Sequence, residues 1–153
     1  MPNPHVTLST NHGDIELELF LDTMPITAGN FLTLVEKGFY DNLIFHRVIP
    51  GFMVQGGCPK GDGTGGPGYE IKDEFTKQNR NFRGTISMAN AGPNTGGSQF
   101  FINIADNNFL DTKHPVFGKV VKGMDIVERI VNLPRDRNDR PRTQARIFRA
   151  QLT

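Results

Sequence analysis

Phe45-His46-Arg47-Val48-Ile49-Pro50-Gly51-Phe52-Met53-Val54-Gln55-Gly56-Gly57 reads as two short strands bent around Pro50-Gly51. Its apolar residues are ordinary sheet filler. His46, Arg47 and Gln55 are not, because they interrupt segments that otherwise read as buried. Arginine is rarely buried unless it is paired or used. Two readings follow. Either Arg47 sits exposed on the outer face of a strand, or it places one fixed positive charge in the wall of an apolar pocket built with Phe52 and Met53, as small-molecule and peptide sites commonly are.

Outward from this stretch the pattern is mainly β. Val6–Thr10 and Asp14–Phe20 alternate apolar and polar residues on either side of Asn11-His12-Gly13, a hairpin signal. A helix follows, with Asp22 or Thr23 as its cap, Pro25 in its first turn, Ala28, Phe31, Leu32 and Val35 on one face and Gly38 as its stop. Gly29 costs such a helix roughly 1 kcal/mol against alanine, which suggests a close approach to the sheet. Thr85–Met88, Gln99–Ile104, Val116–Val121 and Arg146–Leu152 read as strands. Met124, Val127, Ile130 and Val131 mark a second helix that ends near Pro134. Eight strands and two helices with hairpin-like connections predict a closed, eight-stranded antiparallel β-barrel capped by two α-helices, because closure removes exposed edges. An open α+β sheet is the alternative. No repeat or composition shift divides residues 1–153, so a single domain is expected.

Composition narrows the function. The chain has 153 residues, 17 Gly and 10 Pro, in keeping with many tight turns. A net charge of +1 provides no global field for nucleic acid or an anionic membrane. Cys58 is the only cysteine, so there is no internal disulfide and no Cys-x-x-Cys zinc site. No apolar run reaches transmembrane length, and Met1–His5 lacks the regions of a signal peptide, so a cytoplasmic location is expected.

Residues 60–82 show no period, and a compact domain rarely carries so long an irregular loop without a use for it. Gly61–Gly66 matches G-x-G-x-x-G in form, but Pro67-Gly68 follows where a dinucleotide site needs a helix. Ser98 enters a Phe-rich strand, not the helix of a nucleophile elbow. The four histidines show no metal-ligand spacing, and Asp106-Asn107-Asn108 lacks the glycine and distal glutamate of a calcium loop. The arginines between Arg135 and Arg149 are interrupted by Asp136 and Asp139 without interleaved aromatics, which favours a solvated loop over a nucleic-acid surface.

What remains is a set of apolar and amide residues spread over several segments. Three stretches carry them in order: Phe45–Gly57, Ser87-Met-Ala-Asn-Ala-Gly-Pro-Asn-Thr-Gly-Gly-Ser-Gln-Phe-Phe-Ile102 and Leu110-Asp-Thr-Lys-His-Pro-Val-Phe-Gly-Lys-Val120. Together with Asn30-Phe31-Leu32 they make the whole chain resemble the cyclophilin family of peptidyl-prolyl isomerases. The resemblance implies the same eight-stranded barrel and catalysed rotation about X-Pro bonds, without metal or cofactor. It implies that Arg47 is catalytic and that Phe52, Met53, Phe101, Leu110 and His114 line a proline pocket. Gln55, Gln99 and the backbone of Asn90 would hold the peptide, helped by Ala89 and Ala91, with Gly63 flanking a neighbouring pocket for the residues before proline. Implied partners are proline-containing peptides and client proteins, bound by a monomer, with neither nucleic acid nor membrane. Phe109 stands where many members have Trp, and it cannot donate the indole hydrogen bond to cyclosporin, so weakened drug binding is expected. A proline-peptide binding module or scaffold on the same fold is the competing reading.

Overall fold

The structure is a computed structural model and describes residues 2–153. Eight strands and two α-helices follow in the order β1 (His5–Thr10), β2 (Gly13–Leu19), α1 (Pro25–Glu36), β3 (Phe45–Ile49), β4 (Met53–Gly56), β5 (Thr85–Met88), β6 (Phe100–Asn103), β7 (Val116–Lys122), α2 (Met124–Val131) and β8 (Ile147–Leu152). Each predicted element exists, with ends displaced by a residue or two. A 3-10 turn at Asn108–Leu110 is additional. Among the described residues no helix is long and apolar enough to cross a membrane.

All strands join one antiparallel sheet in the order β3-β4-β6-β5-β7-β2-β1-β8. The sheet curls but does not close, which corrects the expected closed barrel. β3 and β8 are its two ends, and a single bridge, Ile44–Arg146, connects the chain just before each. The free edge of β3 is covered by the segment that precedes β8. Phe45 N–H donates to Ala145 O at 2.8 Å and Val48 N–H to Asp139 O at 2.7 Å. That segment cannot extend a ladder, because Pro141 has no N–H and Asp139 adopts φ +62°. The edge is therefore blunted by a loop instead of paired with a strand.

The inner face holds the core. Val6, Leu8, Ile15, Leu17, Val54, Ile86, Ile102 and Phe117 point inward and meet Phe31 of α1 and Val127 and Ile130 of α2. Phe31 lies edge-on to Phe100 with ring centroids 5.5 Å apart, and Tyr40 is edge-on to the same ring at 5.5 Å. Tyr40 is fully buried and donates its hydroxyl to Ser98 O at 2.9 Å. Ser98 is itself buried and donates to Gly57 O.

Three details of α1 differ from the sequence reading. Neither Asp22 nor Thr23 caps the helix. Met24 occupies the cap position, and the Glu74 carboxylate, from the long irregular loop, accepts the N–H of Thr27 at 2.9 Å and of Ile26 at 3.2 Å. A carboxylate there satisfies donors that the helix leaves unpaired. Leu34 is buried where Leu32 was expected, and Leu32 is only partly so. Gly29 approaches nothing closely: a β-carbon there would meet only Leu21 Cδ1, at 3.8 Å. Gly38, by contrast, ends the helix at φ +73° as expected.

Candidate active site

The site lies on the outer face of the open end of the sheet. Alternation along β4 and β6 sends Val54 and Ile102 into the core and Met53, Gln55 and Phe101 the other way. Met53 and Phe101 are nonetheless buried, 2% and 4% exposed, although neither belongs to the core cluster. Loops packed over the outer face cover them. A row in register crosses this face: Arg47 of β3 opposite Gln55 of β4, then Phe101 of β6 and Ser87 of β5. Arg47 is exposed, so both sequence readings meet here, since an outward-facing arginine stands at the edge of an apolar pocket.

That pocket encloses about 210 Å³. Met53 and Phe101 form its floor, Phe52, Ala89, Leu110 and His114 its walls, and Arg47, Gln55 and Asn90 its polar side. Phe101 meets the His114 ring edge-on, centroids 5.2 Å apart. His114 Nδ1 lies 3.0 Å from Met88 O and 3.4 Å from Asn90 Nδ2. A carbonyl can only accept, so in the shorter contact Nδ1 is the donor.

A second groove of about 620 Å³ continues past Gln55. Gly63, Ala91 and Gln99 line it, and Gln55, Ala89 and Asn90 are shared with the first pocket. Gln99 fixes the boundary between the two. Its Nε2 donates to Gly63 O and Gly65 O, both at 2.9 Å, while its Oε1 accepts from Gln55 Nε2 at 3.0 Å. The loop that supplies those carbonyls is braced locally. Asp62 Oδ1 accepts from Thr64 N–H and hydroxyl, and Cys58 Sγ accepts from Gly65 N–H. These Thr64 bonds hold the Asp62 carboxyl below the usual carboxylate range.

Phe109 is the one expected residue outside the pocket wall. It is 71% exposed and stacks on Phe52, centroids 5.8 Å apart, so it extends the rim. His46 lies behind Arg47 and is 7% exposed, with Nδ1 unpartnered. Burial, then the positive charges of Arg140 and Arg47, push its pKa down, against a smaller opposing effect of Asp62.

The sequence reading missed the layer beneath the pocket, which consists of buried amides. Asn103 Nδ2 donates to Asn81 Oδ1 at 3.1 Å, and Asn107 Nδ2 donates to Asn103 Oδ1 at 2.9 Å and Phe52 O at 2.8 Å. Asn81 also engages Asp111, and Asn79 engages the carbonyls of Asp111 and His114. One signal was available: Asn103 ends the otherwise apolar run Phe100-Phe101-Ile102. A buried amide of that kind demands partners.

This fold and this outer-face pocket define a class, and the comparisons agree. The sequence model of the family "Cyclophilin type peptidyl-prolyl cis-trans isomerase/CLD" matches residues 5–152. The chain belongs to that family. It is 50% identical over 149 residues to peptidyl-prolyl cis-trans isomerase cyp15 of Rhizopus delemar, covering 95% of this chain but 24% of that longer protein. It is 44% identical over 153 residues to peptidyl-prolyl cis-trans isomerase CYP18-2 of Arabidopsis thaliana, covering 97% and 93% of the two chains. The crystal structure of a cyclophilin-type isomerase of Cryptosporidium parvum superposes with a TM-score of 0.95 at 37% identity, covering 99% and 98% of the two chains. A second structure of that protein was determined in the presence of the dipeptide Ala-Pro and superposes with a TM-score of 0.94.

Proposed function

We propose that the chain is a peptidyl-prolyl cis-trans isomerase acting as one domain over its whole length, with Arg47 as its catalytic residue. The observation that carries this reading is the exposed Arg47 guanidinium at the edge of a small apolar pocket, in register with Gln55. None of the ion pairs among the described residues engages it.

The prolyl bond resists rotation because amide resonance gives it double-bond character, with a barrier of about 18–20 kcal/mol. In the twisted transition state that resonance is lost and the proline nitrogen recovers a lone pair. A guanidinium aimed at that nitrogen donates a stronger hydrogen bond in the transition state than in the planar ground state. Only such differential binding accelerates the step. Arginine suits the task because it stays charged and presents rigid donors.

Phe52, Met53, Phe101, Leu110 and His114 grip the proline ring, so the acyl side of the bond turns. Gln55 and the backbone of Asn90 hold the peptide, and the groove bounded by Gly63, Ala91 and Gln99 takes the residues before proline. Proline-containing peptides are thus the ligand class, a reading supported by the Ala-Pro used with the Cryptosporidium neighbour. Phe109 has no donor for cyclosporin, and weak drug binding follows. The test is a protease-coupled assay on a prolyl peptide. Accelerated cis-to-trans conversion is expected. Stoichiometric peptide binding without acceleration would replace the enzyme with a binding module.

A further inference from the structure

The irregular stretch before β5 carries Asn79 and Asn81, two residues apart and both buried, 5% and 0% exposed. Their amides form bonds that a backbone ladder would form elsewhere. Asn79 Nδ2 donates to Asp111 O at 2.7 Å and His114 O at 3.1 Å, and its Oδ1 accepts from Val116 N–H at 2.8 Å. Asn81 donates its backbone N–H to Asp111 Oδ1 at 2.7 Å and its Nδ2 to the same oxygen at 3.0 Å. Asn81 Oδ1 accepts from Ser87 Oγ at 2.5 Å and from Asn103 Nδ2. Ser87 pairs with Phe101, the pocket floor, and Asn103 pairs with Met53. One small cluster therefore ties the floor strands to the 110–114 turn that carries Leu110 and His114.

From this we infer that Asn79 and Asn81, clamped on Asp111, are positioning residues that set the height of the Leu110–His114 wall above the Phe101 floor. Neither lines the pocket. Asp111 is suited to anchor such a clamp. Burial opposes its ionisation, but the hydrogen bonds from Asn81 and Asn108 outweigh that and hold its carboxyl below the usual range. A fully satisfied buried network has one arrangement, whereas a broken one leaves unpaired polar groups and a loose turn. A wall that grips proline alike in ground and transition states contributes uniform binding, so its displacement raises KM more than it lowers kcat.

The test compares three proteins with wild type on one prolyl peptide. Asn79→Ser is small enough to fold and too short to reach both carbonyls. Asp111→Asn keeps the oxygen that accepts both Asn81 donors and gives up only the exposed bond from Asn108. Val6→Ala lowers stability in the core at a residue that does not line the pocket. Three readouts are taken: kcat and KM, peptide Kd, and the ¹⁵N resonance of His114 Nδ1, whose bond to Met88 O reports the position of the wall. Asn79→Ser is expected to raise KM and Kd at least fivefold and to shift the His114 resonance. Asp111→Asn stays within threefold of wild type, and Val6→Ala within twofold. A folded Asn79→Ser with wild-type Kd and an unmoved His114 signal would overturn the inference. So would an equal loss in Val6→Ala, because the effect would then be stability alone. The inference rests on the isomerase reading only through kcat and KM. A wild-type chain without turnover would sink that reading, and Kd and the His114 signal would still decide this one.

Discussion

Gln55 donates its side-chain N–H to Gln99 Oε1 at 3.0 Å, and Gln99 passes its own N–H groups to two loop carbonyls, Gly63 O and Gly65 O. The direction of the chain is fixed, because carbonyls can only accept. Gln55 thus keeps one N–H and its own Oε1 for the pocket side, beside Arg47. Replacing Gln99 with Glu puts an oxygen against the two carbonyls and releases that end of the loop. The expected result is a roughly tenfold weaker Kd for a prolyl peptide, equivalent to ~1.4 kcal/mol, by calorimetric titration. An unchanged Kd would mean that the loop does not shape the peptide groove.

Gly29 offers a gain in stability. It sits in α1 with helical backbone, and a β-carbon would make ordinary contact with Leu21 only. Gly29→Ala should stabilise the fold by about 0.5–1 kcal/mol through lower unfolded-state entropy. For a chain of this size that raises Tm by roughly 1–4 °C. A lower Tm in calorimetry would reveal a constraint at the helix surface that the geometry does not contain.

Stability should fall away in acid. The carboxyls of Asp62, Asp111 and Asp136 are all held below the usual range, Asp136 by the backbone N–H groups of Arg140 and Asn138. A depressed folded-state pKa stabilises the fold above the ordinary carboxylate value, about 3.9 for Asp. That contribution is lost as pH falls through the depressed values. Tm should therefore be nearly flat from pH 7 to 5 and drop below about pH 4. Asp111→Asn should make the acid limb shallower than in wild type, in thermal melts across the series. An identical limb would mean that Asp111 is equally easy to protonate folded and unfolded.

The rate should be nearly independent of pH near neutrality. His114 is bonded through Nδ1 to Met88 O, and the pKa of His46 is pushed down by burial and then by Arg140 and Arg47. The proposed mechanism asks neither to carry a proton, and Arg47 does not titrate in the accessible range. From pH 6 to 8, kcat/KM should vary by less than about threefold, whereas an essential unperturbed His would titrate near 6.5. A steep sigmoid near that value that disappears in His114→Gln would transfer the chemistry to His114.

Much of this molecule was legible in its sequence because the signals are local. Alternation at Val6–Thr10 and Ile15–Leu19 places one face inward regardless of what packs there. Arg47 and Gln55 stood out because they interrupt apolar strands. What stayed hidden depends on partners distant in sequence. The α1 cap comes from Glu74, 47 residues beyond Thr27. Asn81 finds Asp111 30 residues away. The open seam depends on which chain segment lies along β3, and counting strands does not reveal it. The irregular loop was expected to have a use, and its three jobs (capping α1, holding Gln99 and tying down the Leu110–His114 turn) emerge only in three dimensions.

The central claim is that Arg47 accelerates bond rotation and does not merely hold the peptide. The direct measurement is the exchange rate of a saturating prolyl peptide on wild type and on Arg47→Ala, by NMR exchange spectroscopy, with Kd titrated on the same samples. The account predicts a folded Arg47→Ala protein with Kd within about threefold of wild type and kcat lower by at least about tenfold, ~1.4 kcal/mol of transition-state stabilisation. Wild-type kcat in folded Arg47→Ala would contradict it.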